Sequence, residues 1–450
     1  MQNRYGTLCQ KLIRRGAVQV TRRPSPSQGV RLGSHPRLTR AARAAVSRRA
    51  ASSSSYTRAS APAFASDFDH HAPGIARLNH GSFGATPAPV LAAVEKCRAR
   101  WLAQPDDEYF SGALDADLQA ATAAAADSIN APVEETALVE NATVAAAIVF
   151  RRWSQLEGTV LLPANAYGGV KASALAAFGA DRVKEWPFPF PGTTHAHVLD
   201  WLNQALQQHD PRYVLLDQVS SQPAVVCPAN EMVALCRRRG GAEVAVDGAH
   251  ALGQVPVDVK AIGADYYFSN LHKWAFAAPT ATVLHSLRRN LEHVVPSWGA
   301  GDFAAECRWT GTRDYAATRA VPAALAYFRD WRSADGLTAP EHNRLGLKHA
   351  HDELCAVWRV DAAYHEECLG SMGMVRLPAG LDLSRDIPGQ PVGPDSVQSR
   401  LRDRFGVEAA VGLFPEGGFL RLSHAVYTSD GDLERLRDGV LAIAAEGASM

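Results

Sequence analysis

Lys273 stands between His272 and Trp274, just past the aromatic run Tyr266-Tyr267-Phe268. A lysine in apolar, aromatic surroundings gives up its proton more readily than a solvated one and can form a Schiff base with an aldehyde. Asp247 closes an apolar run earlier in the chain. A carboxylate there needs a cationic or protonated partner, and a protonated ring nitrogen would serve. His250, three residues on, is spaced to reach the same ligand. Asn141 or Thr143 can cap a helix that begins with the apolar stretch after it, and helix N-termini attract phosphate. Tyr167, ahead of Gly168 and Gly169, can lay its ring on a flat ligand. Taken singly, each has an ordinary reading: a solvated lysine, a structural cap, a packed tyrosine.

Short β-branched runs at 136–139, 159–162, 213–216, 243–246, 264–268 and 281–284 alternate with helix-length segments. That alternation predicts an open, mainly parallel α/β sheet covered on both faces. Ligands bind such sheets outside the carboxyl ends of the strands. The polar stretches 140–143, 165–169, 217–221, 247–250 and 269–274 all fall there. A Gly-punctuated loop at 78–87 leads into predicted helices at 89–101 and 113–129. From Arg313 onward the texture changes to a long helical region through Ala356, a Pro/Gly-rich stretch at 387–394 and a strand-like run at 419–423. These read as a second, smaller α+β domain.

The 450 residues carry 46 Lys+Arg against 46 Asp+Glu, but the balance is uneven. Positions 1–66 hold 13 basic residues and no Asp or Glu, leaving 33 basic against 46 acidic in the rest. An acid-free leader rich in Arg, Ser and Ala, without an apolar stretch, reads as an organelle transit segment. The apolar and basic alternation over 8–20 leans towards a mitochondrion, with a chloroplast as the alternative. A nucleic-acid-binding arm or a tail without function compete with that reading, and the acidic body argues against nucleic acid. No apolar run approaches the roughly 18 residues of a membrane span. Seven cysteines without a C-x-x-C pair, and His70-His71 without further spaced ligands, support neither a disulfide framework nor a metal site.

Thr143, Tyr167, Asp247-x-x-His250 and His272-Lys273 occur in the chain order that a pyridoxal-phosphate site requires. With 78–87, 247–253, 262–274 and 309–314, the sequence resembles the class V aminotransferases, which are fold type I pyridoxal-phosphate enzymes. Within them it is similar to the branch containing isopenicillin N epimerase, plant-type L-cysteine desulfhydrase and hercynylcysteine sulfoxide lyase. The likeness covers nearly everything after about residue 70. It implies an α/β fold with a large, mainly parallel seven-stranded-type sheet and a smaller α+β C-terminal domain. The implied boundaries are a leader at 1–66, a segment at 67–110 contributing to the small domain and active site, a large cofactor domain at 111–312, and a small domain at 313–450.

The resemblance further implies that Lys273 holds the cofactor covalently and then moves protons. Asp247 keeps the pyridinium nitrogen charged, His250 sits near the ring hydroxyl, and Tyr167 stacks on the ring. Ala142, Thr143, Asn270 and His272 surround the phosphate, while Thr312 reaches the phosphate of a neighbouring subunit in a homodimer with shared sites. Arg421 grips the substrate carboxylate, and Asn79 lies near the substrate. Branch members share the loss of the α-proton and differ in the fate of the resulting carbanion. The preferred expectation is a carbon–sulfur lyase acting by α,β-elimination on L-cysteine or a cysteine-derived thioether or sulfoxide. An epimerase or an aminotransferase is the alternative, and a pyridoxal-phosphate-binding protein without turnover is the reading from another class. Persulfide transfer would need a nucleophilic cysteine ahead of the carboxylate arginine, and none lies between Gly370 and Arg421.

Overall fold

Strands that read as unbroken apolar runs are explained when both faces of their sheet are covered. The computed structural model describes residues 65–447 apart from 296, 300 and 388–391. The expected leader lies outside the described residues as far as 64; the described chain opens on a 3-10 turn, Ala65–Phe68. Seven strands then form one sheet: β1 (Thr136–Val139), β2 (Val160–Pro163), β3 (Val183–Trp186), β4 (Tyr213–Asp217), β5 (Glu243–Asp247), β6 (Tyr266–Asn270) and β7 (Thr282–Ser286). Their order is β1-β7-β6-β5-β4-β2-β3. Pairing is parallel from β3 through β2, β4 and β5 to β6, and antiparallel on both sides of β7. The fold is thus α/β with a mostly parallel sheet, as expected.

Alternate residues of each central strand feed two different cores. Leu161, Val214, Leu216, Val244, Val246 and Tyr267 enter one, whereas Leu162, Leu215, Ala245 and Phe268 enter the other. The helices α1 (Ala88–Ala103), α2 (Ala113–Ser128), α3 (Ala142–Ser154) and α4 (Gly168–Phe178) include both helices expected near the N-terminus. Two expectations shift. The run placed at 264–268 pairs instead as 266–270, carrying Asn270 into the sheet. The loop at 78–87 contains a helical turn, His80–Phe83.

The long helical region expected through Ala356 is broken into α5 (Val321–Asp330) and α6 (Ala339–Trp358). A capping box between Thr338 and Glu341, with Pro340 in the first turn, starts α6 afresh. Strands β8 (Met372–Arg376), β9 (Ala410–Phe414) and β10 (Gly417–Ser423) form an antiparallel sheet in the order β9-β10-β8. Helices α6 and α7 (Asp430–Gly447) pack together, and α6 lies against β8 and β10. The N-terminal segment is tied to this part of the chain: Ala76–Arg77 pairs with Val407–Glu408 in a separate two-stranded sheet, and the Ser423 amide, on β10, donates to the Leu78 carbonyl at 2.9 Å. The turn at 80–83 is thereby held where the two sheets approach.

Candidate active site

Ala142, Thr143, Tyr167, Asp247, His250, Asn270, His272, Lys273 and Arg421 line one cavity of about 610 Å³. That is within the usual range for a small-molecule site. At the end of β1, Asn141 caps α3, its Oδ1 accepting from the Val144 amide at 3.0 Å. Asn141 and not Thr143 is therefore the cap, and the exposed Thr143 faces the cavity. The Ala142 amide donates to Asn270 Oδ1 at 3.0 Å, and Thr282 Oγ1 donates to the same oxygen at 2.6 Å. The helix start is thus fixed to the strand that delivers the lysine.

Lys273 Nζ lies 2.8 Å from His250 Nε2. Burial, helped by the Arg421 charge and opposed by Asp247, lowers the Lys273 pKa to about 7. Burial also pushes His250 well below its ordinary range, so the ring is neutral and accepts from the amine. Its Nδ1 is buried without a partner. Asp247, 6% exposed, accepts from the Ala249 amide at 2.8 Å, and burial raises it to about 6. Asp217 is its cross-strand neighbour in register, also lines the cavity, and is raised by burial and by Asp247. Among the described residues neither carboxylate has an ion-pair partner within 4.0 Å. Asp217 opens the polar stretch 217–221, where its residue type alone assigns it no role. The signal that finds it is strand register, which the sequence does not display.

Arg421 enters from β10 and is 4% exposed. Its Nη1 donates to the Ser221 carbonyl at 2.9 Å and to Ser221 Oγ at 3.3 Å. Its Nη2 donates to Asn79 Oδ1 at 2.8 Å and to Ser82 Oγ at 2.6 Å. Asn79 thus reaches the site through the arginine. Burial lowers Arg421 to about 10, leaving it charged at neutral pH.

The turn that carries Ser82 also carries His80, which nothing in the local sequence singles out. His80 Nε2 lies 2.7 Å from the Lys273 carbonyl oxygen and Nδ1 2.8 Å from the Tyr427 hydroxyl. Burial lowers His80 to about 3, so a neutral ring donates to the carbonyl and accepts from the phenol. Gly84 comes next after the turn at φ +72°, where a Cβ would stand 1.9 Å from the His272 carbonyl oxygen. A backbone in this region already favours glycine, and here no side chain fits at all. Thr312 alone of the expected residues lies elsewhere: it is exposed in a separate hollow with Trp101, Tyr109, Phe110 and Trp309.

The donor set suits a flat aldehyde cofactor bearing a phosphate. A desolvated lysine faces the cavity, a buried carboxylate is available for a ring cation, and a capped 13-residue helix opens with a free hydroxyl. A family model described as aminotransferase class-V matches residues 83–331. The putative L-cysteine desulfhydrase 1 of Oryza sativa subsp. japonica is 36% identical, the alignment covering 86% of this chain and 87% of that protein. The probable chloroplastic L-cysteine desulfhydrase of Arabidopsis thaliana is 35% identical over 85% of this chain and 86% of its own length. Among solved structures, a cysteine desulfurase from Escherichia coli superposes with a TM-score of 0.63 at 17% identity, covering 85% of this chain and 98% of that one.

Proposed function

The chain belongs to the aminotransferase class-V family and is a pyridoxal-phosphate enzyme, and from that premise we propose that it is a carbon–sulfur lyase converting L-cysteine and water to sulfide, pyruvate and ammonia. One observation carries the choice of elimination over persulfide transfer: among the described residues, no cysteine lines the cavity that Lys273 and Arg421 share. Cys368, the nearest ahead of Arg421 in sequence, is fully buried, donates to the Thr193 carbonyl, and is pushed up to about 12 by burial. It is therefore no nucleophile. The named desulfhydrases, similar over most of their length, support the same substrate class.

Bound in this cavity, pyridoxal phosphate supplies an electron sink for the charge left at the α-carbon when its proton departs. Lys273 would hold the aldehyde, Asp247 the ring nitrogen, and His250 and Tyr167 the ring. Thr143, the Ala142 amide, Asn270 and His272 would hold the phosphate. Arg421 orients the substrate through its carboxylate. Lys273 Nζ, near neutrality at physiological pH and hydrogen-bonded to His250, takes the α-proton and returns it to the departing sulfur. The carbon–sulfur bond breaks with its electron pair on sulfur.

The enzyme acts as a homodimer in which Thr312 serves the partner's site; its exposure away from its own cavity supports that placement. The Arg-rich leader supports import into an organelle. The chloroplastic relative favours a plastid over the mitochondrion suggested by the spacing at 8–20. Incubation with L-cysteine and S-substituted cysteines tests the reaction. Sulfide or thiol should appear with equimolar pyruvate and vanish in Lys273→Ala, whereas consumption of cysteine without pyruvate would refute elimination.

A further inference from the structure

A guanidinium has five N–H groups and no acceptor. In Arg421 four of them are engaged: two on Ser221, one on Asn79 Oδ1 and one on Ser82 Oγ. The fifth, Nε–H, is buried without a partner. A carboxylate binds arginine best through two parallel N–H bonds. Every pair of adjacent donors on this side chain contains one that the protein already holds, so a substrate cannot simply add to a free fork.

The holders differ in how easily they let go. The Ser221 carbonyl belongs to the backbone and can leave only if the chain moves. Asn79 Oδ1 is tied twice, by Arg421 and by the Ser82 hydroxyl, which donates to it at 2.8 Å. Ser82 Oγ needs only a χ1 rotation to leave, and Ser82 lines the cavity. We infer that Ser82 is a specificity-determining residue that occupies Nη2 of Arg421 in place of a carboxylate, and that the substrate carboxylate binds by displacing it. A charged carboxylate forms the stronger bond and wins the exchange. A neutral amide gains nothing over the hydroxyl it would replace, so the serine sets a threshold that an uncharged amino-acid derivative does not pass.

The inference rests on the reading of Arg421 as the carboxylate-binding residue, and the test separates the two. Ligand-observed NMR on the holoenzyme measures binding of propionate, which has the carboxylate but no amine, and of propionamide. The wild type should bind propionate and ignore propionamide. In Ser82→Ala the hydroxyl no longer competes, and the propionate Kd should fall by about three- to tenfold, the fold-change expected for one net hydrogen bond. Ser82→Thr, which keeps a hydroxyl, should return to the wild-type value. Propionate binding that survives in Arg421→Gln overturns the assignment of Arg421 and the inference with it. If Arg421→Gln abolishes binding but Ser82→Ala leaves the Kd unchanged or weaker, the exchange alone is overturned.

Discussion

Lys273 and Asp247 would both be charged in water, and burial drives both towards neutrality. For the lysine this is useful, since only the neutral amine attacks an aldehyde. A group lowered to about 7 is mostly neutral above that pH, whereas an ordinary lysine waits until about 10.4. The rate at which cofactor-stripped protein captures pyridoxal phosphate should rise through pH 7 and level off by about pH 9; a rate still climbing steeply above that contradicts the lowered value. For Asp247 the linkage runs the other way. Its folded pKa is raised to about 6, so the stability it contributes is present below the ordinary carboxylate range and lost as pH rises through 6. In cofactor-free protein, Asp247→Asn should therefore raise the melting temperature at pH 8 but not at pH 4. The same change should weaken cofactor retention at least about tenfold, the cost of losing a charge-assisted bond. Melting curves and cofactor titrations at the two pH values check both halves. Lys273 and Asp247 were legible in the sequence because their types are costly to bury and need a reason, whereas Arg421 was reached only through the family resemblance. Ser82, His80 and Asp217 were not legible, since a serine, a histidine and a strand-end aspartate acquire meaning only from partners far away in the chain. The Ser82 to Arg421 bond spans 339 residues.

At the scale of elements, the turn His80–Phe83 does the most with the least chain. Through His80 it grips the backbone of Lys273, through Ser82 and the adjoining Asn79 it grips Arg421, and at Gly84 it lies against the His272 carbonyl. Gly84→Ala should force the lysine segment away from the turn. We expect a loss of several kcal/mol in stability, in line with other severe clashes at special backbone positions, together with weaker cofactor binding. A variant with wild-type melting temperature and cofactor affinity would show that the contact is slack. The sequence predicted β1 to the residue and the other buried strands to within two, because residues covered on both faces leave an apolar run. It did not reveal β3, Val-Lys-Glu-Trp, which ends the sheet with Glu185 exposed and only Trp186 fully buried, so no apolar run marks it. Nor did it show the helical turn at 80–83, whose Asn-His-Gly-Ser-Phe-Gly composition reads as loop.

At the scale of the molecule, a shared-site homodimer requires that the holoenzyme sediment at twice the mass of its chain, and that Thr312→Arg loosen the cofactor although Thr312 is absent from its own chain's cavity. A monomeric holoenzyme, or full cofactor retention in the variant, would remove Thr312 from the site. The order of the chain sets a timetable as well. All seven strands of the large sheet, with Asp247 and Lys273, lie between residues 136 and 286, whereas Arg421 arrives on the last strand of the second sheet and must meet a turn made near residue 80. Whether the chain emerges from the ribosome or is threaded N-terminus first into an organelle, the sheet that carries the lysine has emerged before the arginine follows, and domains generally fold as units in that order. The emerging protein gains its means of taking up a cofactor first; its means of recognising an amino acid comes only when the end of the chain returns to the beginning.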